Sequence, residues 1–219
     1  MTHHPSRCGR GARRAARPGR AGRDRRTRSG RGRRTASRAR GPRWSVVKIA
    51  NLAQLVNVIA PIFTNPDGLF LQTIYHPLRL AAEHSQEVAL DAHVECDTVE
   101  YADPEQPERR EYRIADLGPF ALLDVAATRD RSGQRVVVSV VNRSSETAVK
   151  ATVSLGDAEP VGLVSRSVQG DSPRAKNSFD ERAAVDVVES RFDASAGTFE
   201  YEFAPHSYTQ LDIEIGAGR

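Results

Sequence analysis

The stretch RVVVSVVN, residues 135–142, decides the fold. Valine fills most of it, and β-branched side chains pack well on a pleated surface while losing rotamer freedom in a helix. Turn-formers bracket it, RDRSGQ before (129–134) and NRSSE after (142–146), so it is read as one strand, the most apolar of its set and central in its sheet. Working outward, the same period of two recurs in Val88–Cys96, Ala121–Thr128, Ala148–Leu155, Val161–Val168, Val185–Glu189, Thr198–Phe203 and Tyr208–Ile215. The pieces ADPEQPE, GDAEP, QGDSPRAKNS, DASAG and APHS separate these strands. Short strands with a turn every 8–12 residues and no helix between them indicate an antiparallel sandwich or barrel. The fold class is therefore mainly β, with a C-terminal antiparallel β-sandwich over 85–219.

The residues ahead of the strands follow a different period. SVVKIANLAQLVNVIAPI (45–62) places polar residues at 48, 51, 54 and 57 and apolar residues almost everywhere else. The spacing predicts a helix with a narrow polar stripe, closed by Pro61, whose broad apolar circumference needs a large partner. The run Asn65-Pro66-Asp67-Gly68 is a turn, Leu69–Ile74 a short strand or extended segment, and Leu78–His84 one or two helical turns with Pro77 near their start.

Charge divides the chain sharply. Residues 1–43 hold 16 Arg and one acid, Asp24, for +15; the rest holds 16 basic and 27 acidic residues, for −11, which together give the overall +4. The basic segment has no Leu, Ile, Val, Phe, Tyr or Trp, so it has nothing to bury and is expected to be disordered. Three readings of it stand open: a polyanion-binding arm, a twin-arginine export signal at Arg33-Arg34, and translation of GC-rich DNA out of frame. The third is favoured. The arm has no aromatic to stack on bases, which argues against nucleic acid, and the apolar run after Arg34 is interrupted by Lys48, Asn51, Gln54 and Asn57. Cys8 and Cys96 are the only cysteines, and a lone domain cysteine fits a reducing, cytoplasmic compartment. No stretch approaches a membrane span.

Four segments carry a family resemblance. VVKIANLAQLVNVIAPI (46–62) is similar to the last barrel helix of family 51 glycoside hydrolases, the α-L-arabinofuranosidases. LFLQTIYHP (69–77) resembles their Q-T-I-Y-Y-P element, with His76 replacing the second Tyr. VVVSVVNRS (136–144) resembles a strand ending in Asn-Arg, and AKNSFDERAAV (175–185) an Asn-Ser/Thr-Phe-Asp-x-Pro element with Arg182 in the Pro position. The resemblance implies a (β/α)8 barrel followed by a jelly-roll-like sandwich. Residues 44–84 would then be the remnant of a truncated catalytic barrel, its terminal helix included, and 85–219 the sandwich.

The resemblance also implies retaining hydrolysis of terminal α-L-arabinofuranosides in arabinan, arabinoxylan or their oligosaccharides. That chemistry takes two carboxyl groups about 5–5.5 Å apart. The family's acid/base sits in an Asn-Glu dipeptide that this sequence lacks, and no catalytic residue is assigned. The acidic residues read as solvated charges in turns and on polar strand faces. Gln72 corresponds to the family glutamine that hydrogen-bonds the sugar; the bland alternative is that it satisfies backbone groups at a barrel rim. Tyr75 and His76 could stack on a sugar or pack under the helix. His84 and His93 lack further ligands for a metal, and no cofactor is implied. Expected partners are an arabinofuranosyl oligo- or polysaccharide and further copies of the chain, since the family is often hexameric. As this fragment the chain is expected to be inactive; the competing reading is a stand-alone carbohydrate-binding or interaction module.

Overall fold

The computed structural model describes residues 52–100, 118–193 and 196–216. The disorder expected for 1–43 and the turn expected at 102–108 lie outside them.

The chain opens with a hairpin, β1 (Ile62–Asn65) and β2 (Gly68–Leu71), and continues into the helix α1 (Tyr75–His84). Then come β3 (Val88–Leu90), β4 (Thr98–Val99), β5 (Phe120–Ala121), β6 (Leu123–Arg129), β7 (Arg135–Asn142), β8 (Val149–Ser154), β9 (Pro160–Gln169), β10 (Asp186–Phe192), β11 (Thr198–Phe203) and β12 (Tyr208–Ile215). All the pairings between these strands are antiparallel. Six strands form one sheet in the order β10-β9-β12-β7-β6-β3, while β11-β8 and β4-β5 are separate pairs. The strand RVVVSVVN is β7, inside the sheet as its valines require.

Register sets the two faces. Leu211 of β12 lies opposite Val138 of β7, and Ile213 opposite Leu163 of β9. These residues, with Leu123, Ala127, Val140 and Phe203, form the main core, closed on its other side by Val149, Ala151, Val153, Phe199 and Tyr201 of the β8–β11 pair. That is a sandwich: alternate side chains of two layers interdigitate between the sheets. Between Leu90 and Cys96 the expected strand keeps its alternation, and Ala92, Val94 and Cys96 reach the core. Only Val88–Leu90 joins the ladder, against β6.

The opposite face of β9, β12 and β7 lies under α1. Leu80 packs there on Val168 and Val185, and the carbonyl of Leu80 accepts from Gln210 Nε2 at 3.3 Å. The central strands are thus buried on both faces. The corner after β7 is fixed by Asn142, whose Nδ2 donates to the carbonyls of Thr147, Phe203 and Ala204 at 2.9–3.0 Å. Its Oδ1 accepts from Ser144 N at 2.9 Å.

The helix expected over 45–62 is not formed in its described part. Residues 52–61 are bends and turns, with an isolated bridge from Val56 to Ile62. Asn57 and Val58 adopt left-handed φ of 59° and 63°, which ends any right-handed helix there. The physical reason is the one the sequence raised. Leu52, Leu55, Val56, Val58 and Ile59 are all exposed, and a helix whose apolar circumference finds no partner has little besides marginal propensity to hold it. Asn57 instead stitches the segment to β1: its N donates to Ile62 O at 2.8 Å, and its Oδ1 accepts from Thr64 N at 2.8 Å.

Candidate functional site

Gln72 follows the β1–β2 hairpin directly. The turn Asn65-Pro66-Asp67-Gly68 forms as its composition demands: Asn65 Oδ1 accepts from Asp67 N at 2.9 Å, and Gly68 takes φ +147°, a region that disfavours side chains. A Cβ at Gly68 would also lie 3.1 Å from the Arg182 guanidinium, so the hairpin and the 175–185 segment approach closely here. Beyond β2, Gln72 N donates to Pro61 O at 2.8 Å, and Gln72 O accepts from Tyr75 N at 2.9 Å. The backbone of Gln72 is therefore held at both its polar groups. Its side chain is half-buried, and its amide hydrogen-bonds none of the described residues. It does not satisfy backbone groups there, and the amide keeps its donors and acceptor.

The anchor for this hairpin comes from a distant part of the chain. Asn177, 2% exposed, donates from Nδ2 to Leu71 O and to Val185 O, both at 2.8 Å, and accepts at Oδ1 from Val185 N at 2.7 Å. One buried amide thus ties the residue before Gln72 to the entry of β10. Phe179 adds an edge-on contact to Phe70 with centroids 4.8 Å apart, and Phe70 stacks on Phe63 at 5.1 Å. The 175–185 segment was legible as a motif, but its role as a latch was not. The only hint was an Asn beside a Phe in an otherwise polar loop.

The other sequence candidates separate. His76 is 4% exposed, with neither ring nitrogen hydrogen-bonded and the Asp186 carboxylate 3.7 Å away. Burial depresses its pKa, partly offset by Asp186, and its ring cannot stack on a sugar. Tyr75 is half-buried and meets the His76 ring edge-on at 5.8 Å. His84 lies 3.5 Å from Arg135 Nη2 and His93 lies 3.1 Å from Glu95, in separate pairs. No group of three metal-binding side chains occurs among the described residues.

One acid departs from the expectation of solvated charge. Asp212, its side chain 9% exposed, accepts from Arg135 at 2.8 and 2.5 Å and from Arg166 at 3.1 Å. Burial pushes its pKa up, but hydrogen bonds and charge from Arg135 and then Arg166 outweigh that and hold the carboxyl below its usual range. Arg166 in turn reaches Glu189 at 3.0 Å. A ladder of alternating charge therefore crosses the α1-side face from β7 to the edge strand β10.

Comparison with known proteins places this architecture. A sequence model described as the alpha-L-arabinofuranosidase C-terminal domain matches residues 44–207. A probable alpha-L-arabinofuranosidase C from Aspergillus clavatus is 34% identical over 165 residues, covering 75% of this chain and 30% of that protein. An intracellular exo-alpha-(1->5)-L-arabinofuranosidase from Streptomyces lividans is 36% identical over 141 residues, 64% of this chain and 19% of that protein. The crystal structure of alpha-L-arabinofuranosidase from Thermotoga maritima, an arabinose complex, superposes with a TM-score of 0.65 at 27% identity. It covers 78% of this chain and 35% of that one. The larger part of each of these proteins has no counterpart here.

Proposed function

Because the chain belongs to the alpha-L-arabinofuranosidase C-terminal domain family, we propose that it acts as the C-terminal part of a retaining α-L-arabinofuranosidase and contributes Gln72 to the sugar site. The observation that carries this reading is Gln72 itself: backbone pinned at both ends, hairpin latched by Asn177, and amide uncommitted among the described residues. A held backbone with a free amide suits recognition, because a preorganised donor and acceptor loses little entropy when a sugar hydroxyl arrives. The substrates would be terminal α-L-arabinofuranosides of arabinan, arabinoxylan or their oligosaccharides, met inside the cell. The carboxyl pair for protonating the leaving oxygen and attacking the anomeric carbon would come from a catalytic barrel packed on the exposed apolar residues of 52–59. Alone, the chain would not hydrolyse these bonds.

The test is a chimera in which residues 52–216 replace the matching segment of the Aspergillus clavatus relative, assayed on an aryl α-L-arabinofuranoside. The isolated chain should release nothing and the chimera should turn over. Gln72→Ala in the chimera should lower kcat/KM by about 10–100-fold, the scale of one lost sugar hydrogen bond. Unchanged kcat/KM would remove Gln72 from the site. Saturable binding of arabino-oligosaccharides by the isolated chain, with an inactive chimera, would favour the stand-alone module.

A further inference from the structure

Gln72 sits in a short span fastened at both ends to consecutive residues at the entry of β10. Upstream, Leu71 O accepts from Asn177 Nδ2, and the same amide holds Val185 through its N and O. Downstream, His76 Nδ1 lies 3.7 Å from the carboxylate of Asp186, the residue after Val185 and the first of β10. Between these anchors Gln72, Thr73 and Tyr75 are half-buried and Ile74 is exposed, so the span has no fully buried side chain of its own.

The second anchor has a cost that apolar packing does not explain. His76 and Leu80 are the buried residues of α1, one turn apart on one face. Leu80 covers Val168 and Val185 as an apolar residue should. His76 is 4% exposed, and neither ring nitrogen is hydrogen-bonded to a described residue. A leucine there would avoid that penalty. What histidine adds is a ring nitrogen facing Asp186. The start of α1 lacks other support: its N-cap is Ile74, with no side-chain cap hydrogen bond among the described residues and no acid in its first turn. An anion near a helix N-terminus offsets the positive end of the helix dipole, and Asp186 brings one from another element. The Asp186 oxygen nearest His76 is itself held, accepting from Val187 N at 2.7 Å.

We propose that His76 is a positioning residue for Gln72: with Asp186 it holds the first turn of α1 on the entry of β10, and so fixes the span that presents the Gln72 amide. The inference rests on Gln72 lying in the sugar site and adds the residue pair that aims it. The linkage runs through the backbone. His76 fixes its neighbour Tyr75, whose N donates to Gln72 O at 2.9 Å. Without the second anchor, Gln72 stays attached through Leu71 and through its own N–H to Pro61 O, and its amide can swing about them. A misplacement of about 1 Å can lower a rate on the order of a hundredfold.

In the full chain, hydrogen exchange at the Tyr75 amide reads this anchor. His76→Leu keeps the bulk and deletes the ring nitrogens; it should speed that exchange about tenfold or more and leave β7 and β12 unchanged. Asp186→Ala, at a side chain 61% exposed, should do the same without touching the core. His76→Asn should recover most of the protection, because Asn Nδ2 stands where His Nδ1 does. Unchanged Tyr75 exchange in both His76→Leu and Asp186→Ala overturns the proposal, as does acceleration spread evenly over the sandwich. In the barrel chimera, His76→Leu should lower kcat/KM about tenfold beside Gln72 but less than about twofold beside Gln72→Ala, since a positioning residue acts only through the group it positions. Equal losses in both backgrounds overturn the proposal and leave Gln72 in the site. A chimera indifferent to Gln72→Ala removes the sugar role itself, and the positioning with it. With an inactive chimera, Tyr75 exchange alone decides.

Discussion

Two stretches of comparable apolar character meet opposite fates in this chain. In β7 the valines of 135–142 lie in a sheet covered on one face by the β8–β11 pair and on the other by α1, and Val137 and Val140 are almost fully buried. In 52–59 the leucines, valines and isoleucine stand in solvent, reaching 75% exposure at Val58. The difference lies in what is available to cover them. The strand β7 finds both of its partners within the domain, β6 next to it in sequence and β12 across the sheet. A helix apolar around most of its circumference requires a second body of protein. Hydrophobic composition fixes how much surface must be buried, but the secondary structure that forms depends on the partner that buries it.

This contrast can be broken most directly at its buried pole. Leu211 is fully buried in β12, so Leu211→Ala should cost about 3 kcal/mol in urea unfolding, in the range of large-to-small core substitutions. Leu55→Ala, at 66% exposure, should stay within about 0.5 kcal/mol. Similar costs at the two sites would erase the comparison.

The latch between the β1–β2 hairpin and the entry of β10 comes next in size. Asn177→Ala deletes three buried hydrogen bonds and should cost about 2 kcal/mol. It should also speed amide exchange in the β1–β2 hairpin more than in β7. A uniform loss of protection would mean that Asn177 is ordinary core and does not fasten Gln72.

Smaller effects follow from the polar residues under α1. The depressed pKa of Asp212 means that its contribution is present above the ordinary value of 3.8 and lost as pH falls through the lower folded value. Asp212→Asn should flatten that acid limb and destabilise at neutral pH by roughly 1–3 kcal/mol, since Arg135 and Arg166 lose their shared acceptor. His76 titrates in a separate window. Its pKa is depressed by burial, so the unfolded chain takes up a proton first, and stability falls as pH drops below 6.5. His76→Gln should remove part of that slope, leaving the share due to His84, whose pKa burial and then Arg166 also lower. An unchanged pH profile in either variant would contradict the burial described here.

The sandwich was legible because period-two patterning and turn chemistry are local signals, and β6 to β12 fall close to the expected strands. The helical turns at 78–84 were legible from Pro77 onward, as part of α1. What could not be read was coverage. Nothing local says that α1 folds over the outer face of β12, so Asp212 read as a solvated charge although it is buried. The 52–61 segment failed for the complementary reason, a correct amphipathic signal without its cover. Of the candidate site, Gln72 and the loop 175–185 were visible as motifs. Their connection, Asn177 to Leu71 across 106 positions, is a tertiary fact no window of sequence contains.

Residues 52–59 form no helix for want of a partner, while the sandwich behind them is complete. Amide hydrogen exchange, measured on this chain alone and on the barrel chimera, tests it most directly. In the chain alone, β7 and β12 should be strongly protected and 52–56 should exchange near intrinsic rates. In the chimera, 52–56 should slow by at least about a hundredfold, as buried helical amides do. Protected 52–56 amides in the isolated chain, or unprotected ones in the chimera, would contradict a helix that forms only when covered.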